Sequence, residues 1–544
     1  MRRSLAIAAL VLAPLAAWPA GVATAQDVDR VRVMHITVDS LHPSEVGPQT
    51  PTLMSLRDQG IWYEQARSVM ASETLPNHVA MATGTFPERN GIPGNEGRGE
   101  PGDQELHVSS VEGDEDLGDP ALLQVPSFAA AIEATCPDLR TVTVLSKAYV
   151  DNVFQSDPVD ARFPQEDFNV PESGHALDLT TVGFILDEVN SGAQFDYLFA
   201  NLGDVDRMGH IDVTGFTGIP VARQAAIADT DTLLGLLVQS LQQQGLWEST
   251  VLVVSSDHSM DFSNPLDPSS YVDVGGALEA DARTAGKFFL GQNGAAGLVY
   301  LFEPEAADAD EVLAAAHEVL SALDGIDEVF YRAPNPLDPG KDLVTVHPDW
   351  HLAGTHRAGE LFLTVPSGFK VSAPPESFDQ DAINPLPGNH GGTATRHVTA
   401  LVTGGWDGLA APTSVAPSDP DAVDAVRFDD APALPEQVEQ VDYAPTFGWL
   451  LGVPDPGMPD GTPQWQGRVL SEAFARQPAP VCAAAAEPEP TASPTPTPTA
   501  TETPDDVEEP APLPVTGGGW TGPALVGLAL ALALPGRRRP EGAA

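Results

Sequence analysis

The sequence predicts an α/β fold: a doubly wound, mostly parallel sheet flanked by helices, with a small inserted cap subdomain. Two observations lead there. Short runs rich in Val, Leu and Ile alternate with stretches of helical periodicity, the pattern of strands buried on both faces beneath crossover helices. Asp and His residues follow several of these runs directly, where an open α/β sheet presents its ligands.

Taken in order, Val31–Val38 predicts the first strand and ends in Asp39. Pro51–Gln59 reads as a helix with proline at its start. The string S-E-T-L-P-N-H places Thr74 just before a helical run, Asn77 to Thr83. Gly97 to Gly118 is acidic, Gly-rich and aperiodic, and predicts a surface insertion. Strands follow at Thr141–Leu145, Asp196–Leu202 and Thr250–Val254, with helices at Leu177–Val189 and Ala222–Gln244. Behind the last two strands come D-R-M-G-H, holding Asp206 and His210, and S-S-D-H, holding Asp257 and His258. Residues about 260–385 are less regular; Gly297–Phe302, Ala307–Leu323, Glu328–Tyr331 and Glu360–Val365 predict a cap over the site. His390 then stands in G-N-H-G-G, before the strand-like run Arg396–Val402.

Composition bounds the function. The 544 residues include 77 acidic and 26 basic side chains, a formal net charge of −51, which excludes a nucleic-acid-coating role. With 42% hydrophobic residues the chain has material for a large core. An acidic surface of this kind suits salty surroundings, where self-repulsion is screened.

The ends read as addresses. Residues 1–25 have the order of a secretory signal peptide: Arg2 and Arg3, an apolar run from Leu5 to Trp18, then Ala23-Thr24-Ala25. The catalytic body is expected over 26–480 and a Pro/Thr/Glu-rich spacer over 483–512. Residues 513–544 hold L-P-V-T-G, a short apolar stretch and three arginines. That order resembles the sortase cell-wall sorting signal of Gram-positive bacteria, which implies cleavage between Thr516 and Gly517, with sortase and the cell wall as partners. A simple C-terminal membrane tail is the alternative. Without the residues before 26 and after 516, which hold five Arg and one Glu, 76 acidic side chains face 21 basic ones. In an exported chain Cys136 and Cys482 suit a disulfide, and two separate thiols are equally open.

The ordered set of Asp39, Asp206, His210, Asp257, His258 and His390 carries the chemistry. Mixed carboxylate and imidazole ligands suit Zn²⁺ or a similar divalent ion, and six ligands suit two ions rather than one. Thr74 offers a hydroxyl nucleophile at a helix start that binds anions. Taken alone, the same segment reads equally as a helix N-cap.

Five strings then resemble the alkaline phosphatase superfamily, and within it the nucleotide pyrophosphatase/phosphodiesterase branch. They are V-D-S from Val38, T-L-P-N-H-V-A-M-A-T-G from Thr74, D-R-M-G-H from Asp206, S-D-H from Ser256 and N-H-G from Asn389. The run V-D-Y-A-P-T from Val441 resembles the superfamily's closing helix. The resemblance implies one zinc held by Asp206, His210 and His390, and a second held by Asp39, Asp257, His258 and Thr74. It makes Thr74 the nucleophile of a phosphothreonine mechanism acting on a small phosphorylated substrate. Asn95, 21 positions after Thr74, would bind a phosphoryl oxygen with the Thr74 N–H. A sulfatase is disfavoured, because Thr74 cannot become formylglycine.

Phosphonoacetate hydrolases and some phosphomonoesterases of the superfamily place a basic residue where V-L-S-K-A-Y puts Lys147, one of only four lysines in the chain. Those relatives carry a second basic residue two positions on; here it is Tyr149. A surface role for Lys147 is the alternative, and diesters or pyrophosphates remain the expected substrates. His347, His351 and His356 have metal-like spacing but read as loop residues. Two other classes are weighed: a surface-binding protein on a degenerate scaffold would lack a ligand, and a calcium-stabilised wall protein would use oxygen alone.

Overall fold

The computed structural model describes residues 30–482, apart from 100–106, 109–119, 171–173, 193, 373–386, 417–436 and 480. The leader, the spacer and the Thr516–Gly517 junction lie outside the described residues, as does most of the Gly97–Gly118 insertion.

In chain order the strands used below are β1 (Arg32–Val38), β2 (Ile61–Tyr63), β3 (Thr141–Leu145), β4 (Ala161–Arg162), β5 (Tyr197–Leu202), β6 (Thr250–Ser255), β7 (Phe288–Asn293), β8 (Ala296–Leu301), β9 (Glu328–Tyr331), β10 (Leu361–Thr364), β11 (Ala400–Gly404) and β12 (Thr413–Val415). The helices are α1 (Pro51–Gln59), α2 (Thr74–Thr83), α3 (Phe128–Thr135), α4 (Asp178–Asn190), α5 (Asp204–Ile211), α6 (Val221–Gln243), α7 (Ala309–Ser321) and α8 (Tyr443–Leu451). The main sheet has eight strands in the order β12-β2-β11-β6-β1-β5-β3-β4. Pairing is parallel from β6 through β4, whereas β11 runs antiparallel to both β6 and β2. The strand expected over Arg396–Val402 therefore enters against the others.

Helices cover both faces, and β1 shows why. Met34, Ile36 and Val38 pack with Leu53 and Leu56 of α1, Val182 and Ile185 of α4, and Leu234 and Leu237 of α6. Val31 and Val33 point the other way, into a cluster with Val79 of α2, Phe128 of α3 and Phe447 of α8. This two-residue alternation between two apolar layers makes a three-layer sandwich. Each fully buried Leu, Ile or Phe contributes roughly 1.5–3 kcal/mol.

Inside the segment expected as a cap, β7, β8, β10 and β9 form a separate antiparallel sheet in that order. Its own core joins Val299, Leu361 and Leu363 to Val312, Ala316 and Leu320 of α7. Among the described residues no helix is long and apolar enough to cross a membrane.

Cys136, just after α3, is bridged to Cys482, with Cα atoms 5.5 Å apart. The Cys482 N–H also donates to the Leu451 carbonyl at 3.0 Å. Reduction, or Cys136→Ser, is expected to cost about 2–5 kcal/mol by freeing a long loop in the unfolded chain. Urea titration with and without reductant measures this directly, and coincident transitions would contradict it.

Candidate active site

The sheet's carboxyl edge assembles the site. The N–H of Asp39 donates to the Leu202 carbonyl at 2.9 Å, so the β1–β5 register places this carboxylate. Asp257 and His258 leave β6 two and three residues after its end, and the Ser40 N–H donates to Asp257 Oδ1 at 3.0 Å. Asp206 and His210 lie four residues apart on α5, and hence on one helix face. His390 arrives on the loop before β11, where the Gly388 carbonyl lies 3.0 Å from His210 Nδ1.

Two ligand groups result: Asp206, His210 and His390, and Asp39, Asp257 and His258. In the first, Asp206 Oδ1 lies 3.5 Å from His210 Nε2 and 3.7 Å from His390 Nε2. In the second, His258 Nε2 lies 3.6 Å from Asp39 Oδ1 and 3.4 Å from Asp257 Oδ2. Those three carboxylate oxygens are buried and have no hydrogen-bond partner among the described residues. Such gaps are too long for strong hydrogen bonds but match two ligands sharing one ion at bonds of about 2.1 Å. The residues present therefore fit a pair of divalent metals.

The imidazoles are set in the ligating form. Nδ1 of His258 faces the Ser259 carbonyl at 3.0 Å, and Nδ1 of His210 faces Gly388. A donor Nδ1–H leaves the Nε2 lone pair directed into the site. Burial holds the pKa of His210 down at about 4, and burial with the neighbouring His258 holds His390 well below its ordinary value. Neutral rings are what a cation needs; at His258 burial acts the same way, but Asp257 and Asp39 outweigh it and raise the pKa, so there a cation would displace a proton.

Charge balance points the same way. Burial and the adjacent Asp257 raise the pKa of Asp39. Burial acts likewise on Asp206, but Lys147 and the histidines outweigh it and hold that carboxyl well below the usual range. Lys147, only 6% exposed, places Nζ 2.9 Å from Asp39 Oδ2, 2.7 Å from Asp206 Oδ2 and 3.2 Å from Thr74 Oγ1. The surface alternative for Lys147 is thus excluded. Its one ammonium faces three buried carboxylates, a deficit that bound cations would offset.

Thr74 is the first residue of α2, and the N-cap is Glu73. The N-cap alternative for Thr74 fails, because its hydroxyl points into the site, 3.1 Å from His258 Nε2. Tyr149, the residue replacing the second basic position, lines the same cavity as Lys147. Asn95 is more committed than expected: Oδ1 accepts from the Leu75 N–H at 2.8 Å and Nδ2 donates to Glu73 Oε2 at 2.6 Å.

Several contributors escaped the sequence reading. Glu73 is 3% exposed, its pKa pushed up to about 7 by burial, and its Oε2 lies 3.1 Å from His390 Nδ1, off the line of a straight hydrogen bond. Asn201 Nδ2 donates to Asp39 Oδ2 and to His78 Nε2, each at 2.9 Å, while His78 Nδ1 meets the Thr74 carbonyl at 2.9 Å. Both stood in recognised stretches, Asn201 inside a strand and His78 inside T-L-P-N-H. His351 instead pairs with Glu88 at 2.8 Å and His347 stacks on Trp350, so neither joins a ligand group. Above the metal ligands lies a cavity of about 340 Å³, lined by Glu73, Asn95, Lys147 and His390 together with Gln292 and Lys370 from the cap segment.

Paired carboxylate–imidazole groups at the carboxyl edge of an α/β sheet, with a hydroxyl beside them, define a metal-dependent hydrolase. The family model for type I phosphodiesterase / nucleotide pyrophosphatase matches residues 33–392, and the chain belongs to that family. It is accordingly a metal-dependent phosphoester hydrolase, of a family whose enzymes use two divalent metal ions. No curated protein matches the chain. Among solved structures, human ectonucleotide pyrophosphatase / phosphodiesterase 5 is similar at TM-score 0.58 and 17% identity, over 81% of this chain and 99% of that one. The murine protein gives TM-score 0.57 and 17% identity, over 78% and 95%. Phosphonoacetate hydrolase from Sinorhizobium meliloti 1021, in complex with phosphonoformate, gives TM-score 0.53 and 18% identity, over 76% and 94%. An inactive form of the murine protein is in complex with AMP.

Proposed function

We propose that the protein is a secreted, wall-anchored hydrolase that cleaves phosphodiester or pyrophosphate bonds of small substrates through a phosphothreonine intermediate. The observation that carries this reading is the place of Thr74 Oγ1, in contact with His258 of one ligand group and with Lys147, which spans both. Asp206, His210 and His390 would hold one zinc, and Asp39, Asp257, His258 and Thr74 the other. When bound, the cations supply charge stabilisation for the attacking and leaving oxygens of an in-line displacement.

The protein's own groups do the rest. Thr74 Oγ1 forms the bond to phosphorus as the ester bond breaks, and the proton given up by the Thr74 hydroxyl leaves with the displaced oxygen. Water then cleaves the phosphothreonine and restores the hydroxyl. The Asn95 amide, fixed by Leu75 and Glu73, keeps one Nδ2 hydrogen for a phosphoryl oxygen. Transit through a signal peptide over 1–25 and attachment through Thr516 after loss of Gly517 complete the reading. Thr516→Ala is expected to shift the protein from the cell wall to the medium.

Hydrolysis of bis-p-nitrophenyl phosphate, p-nitrophenyl phosphate and phosphonoacetate by the full chain tests the substrate class; turnover of none of them would reject it. The buried ammonium favours one second reading, a monoesterase or phosphonate hydrolase, because a dianion gains more from Lys147 than a diester does. Lys147→Ala is therefore expected to lower monoester turnover tenfold or more beyond its effect on the diester. Equal losses would assign Lys147 to metal-site charge balance alone.

A further inference from the structure

Arg223 lies in the first turn of α6, outside the strings that define the family, and is 1% exposed. Its guanidinium is fully engaged. Nε and Nη2 grip Glu45 at 2.9 and 2.8 Å, Nη1 donates to Ser40 Oγ at 2.7 Å and to the Val205 carbonyl at 3.0 Å, and Nη2 donates to the Ser40 carbonyl at 2.6 Å. The Arg223 N–H is itself tied to Asp212 Oδ2 at 3.0 Å.

Two of these partners adjoin metal ligands. Val205 precedes Asp206, and Ser40 follows Asp39. Ser40 is also strained: its φ is +64°, and only His351 shares a positive φ among the described non-glycine residues. A side chain bearing Cβ resists that left-handed conformation, whereas glycine adopts it freely. The turn at Ser40 is what aims its N–H at Asp257 Oδ1 and carries the chain away from Asp39.

We propose that Arg223 is a positioning residue that couples the two metal groups by holding Ser40 in the left-handed conformation. The proposal rests on the assignment of Asp39 and Asp206 as ligands of separate ions. One planar fork bonds the residue beside a ligand of each group, so a single rigid side chain ties the backbone of the two groups together. Lysine cannot make the same five contacts from one point charge.

The test compares Arg223→Met in the natural and Ser40→Gly backgrounds of the full chain. Zn²⁺ retention is read by competition with a chromogenic chelator, and the unfolding temperature is read on metal-free protein. Arg223→Met is expected to weaken retention about tenfold or more and to lower the metal-free unfolding temperature by roughly 5 °C. Adding Ser40→Gly is expected to recover about fivefold in retention, because glycine needs no clamp to adopt the turn. Losses equal in both backgrounds would overturn the proposal and leave Arg223 as a partner of Glu45 only. A wild-type chain that retains fewer than two ions would reject the ligand assignment instead. The clamp would then be judged on the metal-free unfolding temperatures, where absence of any recovery by Ser40→Gly overturns it.

Discussion

Thr74→Ala is expected to lower phosphodiester hydrolysis by a factor on the order of 10⁴, while both divalent ions stay bound. The loss is large because no neighbouring group can substitute. Tyr149 lines the same cavity but has its phenol pKa pushed above the ordinary value by burial, and Lys147, against burial, is held protonated by Asp206 and Asp39. Neither offers a ready nucleophile. Metal retention follows from the remaining ligands, three in each group without the hydroxyl. Thr74→Ser restores an attacking oxygen and is expected to recover much of the rate. Brief reaction of wild-type protein with a ³²P-labelled substrate, followed by acid quench, should trap label on Thr74. Unimpaired turnover by Thr74→Ala would end the phosphothreonine mechanism.

Removal of the metals is expected to have the second large effect. Dialysis against a strong chelator should abolish hydrolysis, and Zn²⁺ at two equivalents per chain should restore it. Stability should fall as well. Asp39, Asp206 and Asp257 are buried, and Lys147 pairs with the first two; a free ion at about 1,000 times its Kd contributes about 4 kcal/mol to the folded state. The chelated protein should therefore unfold several degrees lower than the loaded one in calorimetry. Full activity with one ion per chain, measured by elemental analysis, would reject the two-metal site.

The periodic parts of the fold were legible in the sequence. Strands over Val31–Val38 and Thr141–Leu145 and the helix over Pro51–Gln59 fall within a residue of the structure, because β-branched runs and a proline start act locally. The direction of β11 was not legible. An apolar strand has the same composition whichever way it runs, and its partners decide. The pairing of Cys136 with Cys482 was open for a similar reason: it depends on where α3 and the chain after α8 meet.

The site divides along the same line. Asp206 and His210 could be placed on one face from helical spacing alone, and Asp39, Asp257 and His258 from their position after strands. Thr74 was ambiguous between cap and nucleophile, and only the tertiary contact of α2 with the loop after β6 set its hydroxyl against His258. Glu73, Asn201 and Arg223 carried no signal, since each acts on residues distant in the chain.

By itself, then, the sequence determined the α/β class and placed the six Asp and His residues and Thr74 as candidates, because strand-end placement and helical spacing are local. The tertiary structure alone decided how these residues divide into two groups, how Lys147 spans both, and which groups Arg223 bonds. Those relations are distances between segments up to some 200 residues apart, set by sheet register and core packing rather than by any residue's neighbours in the chain.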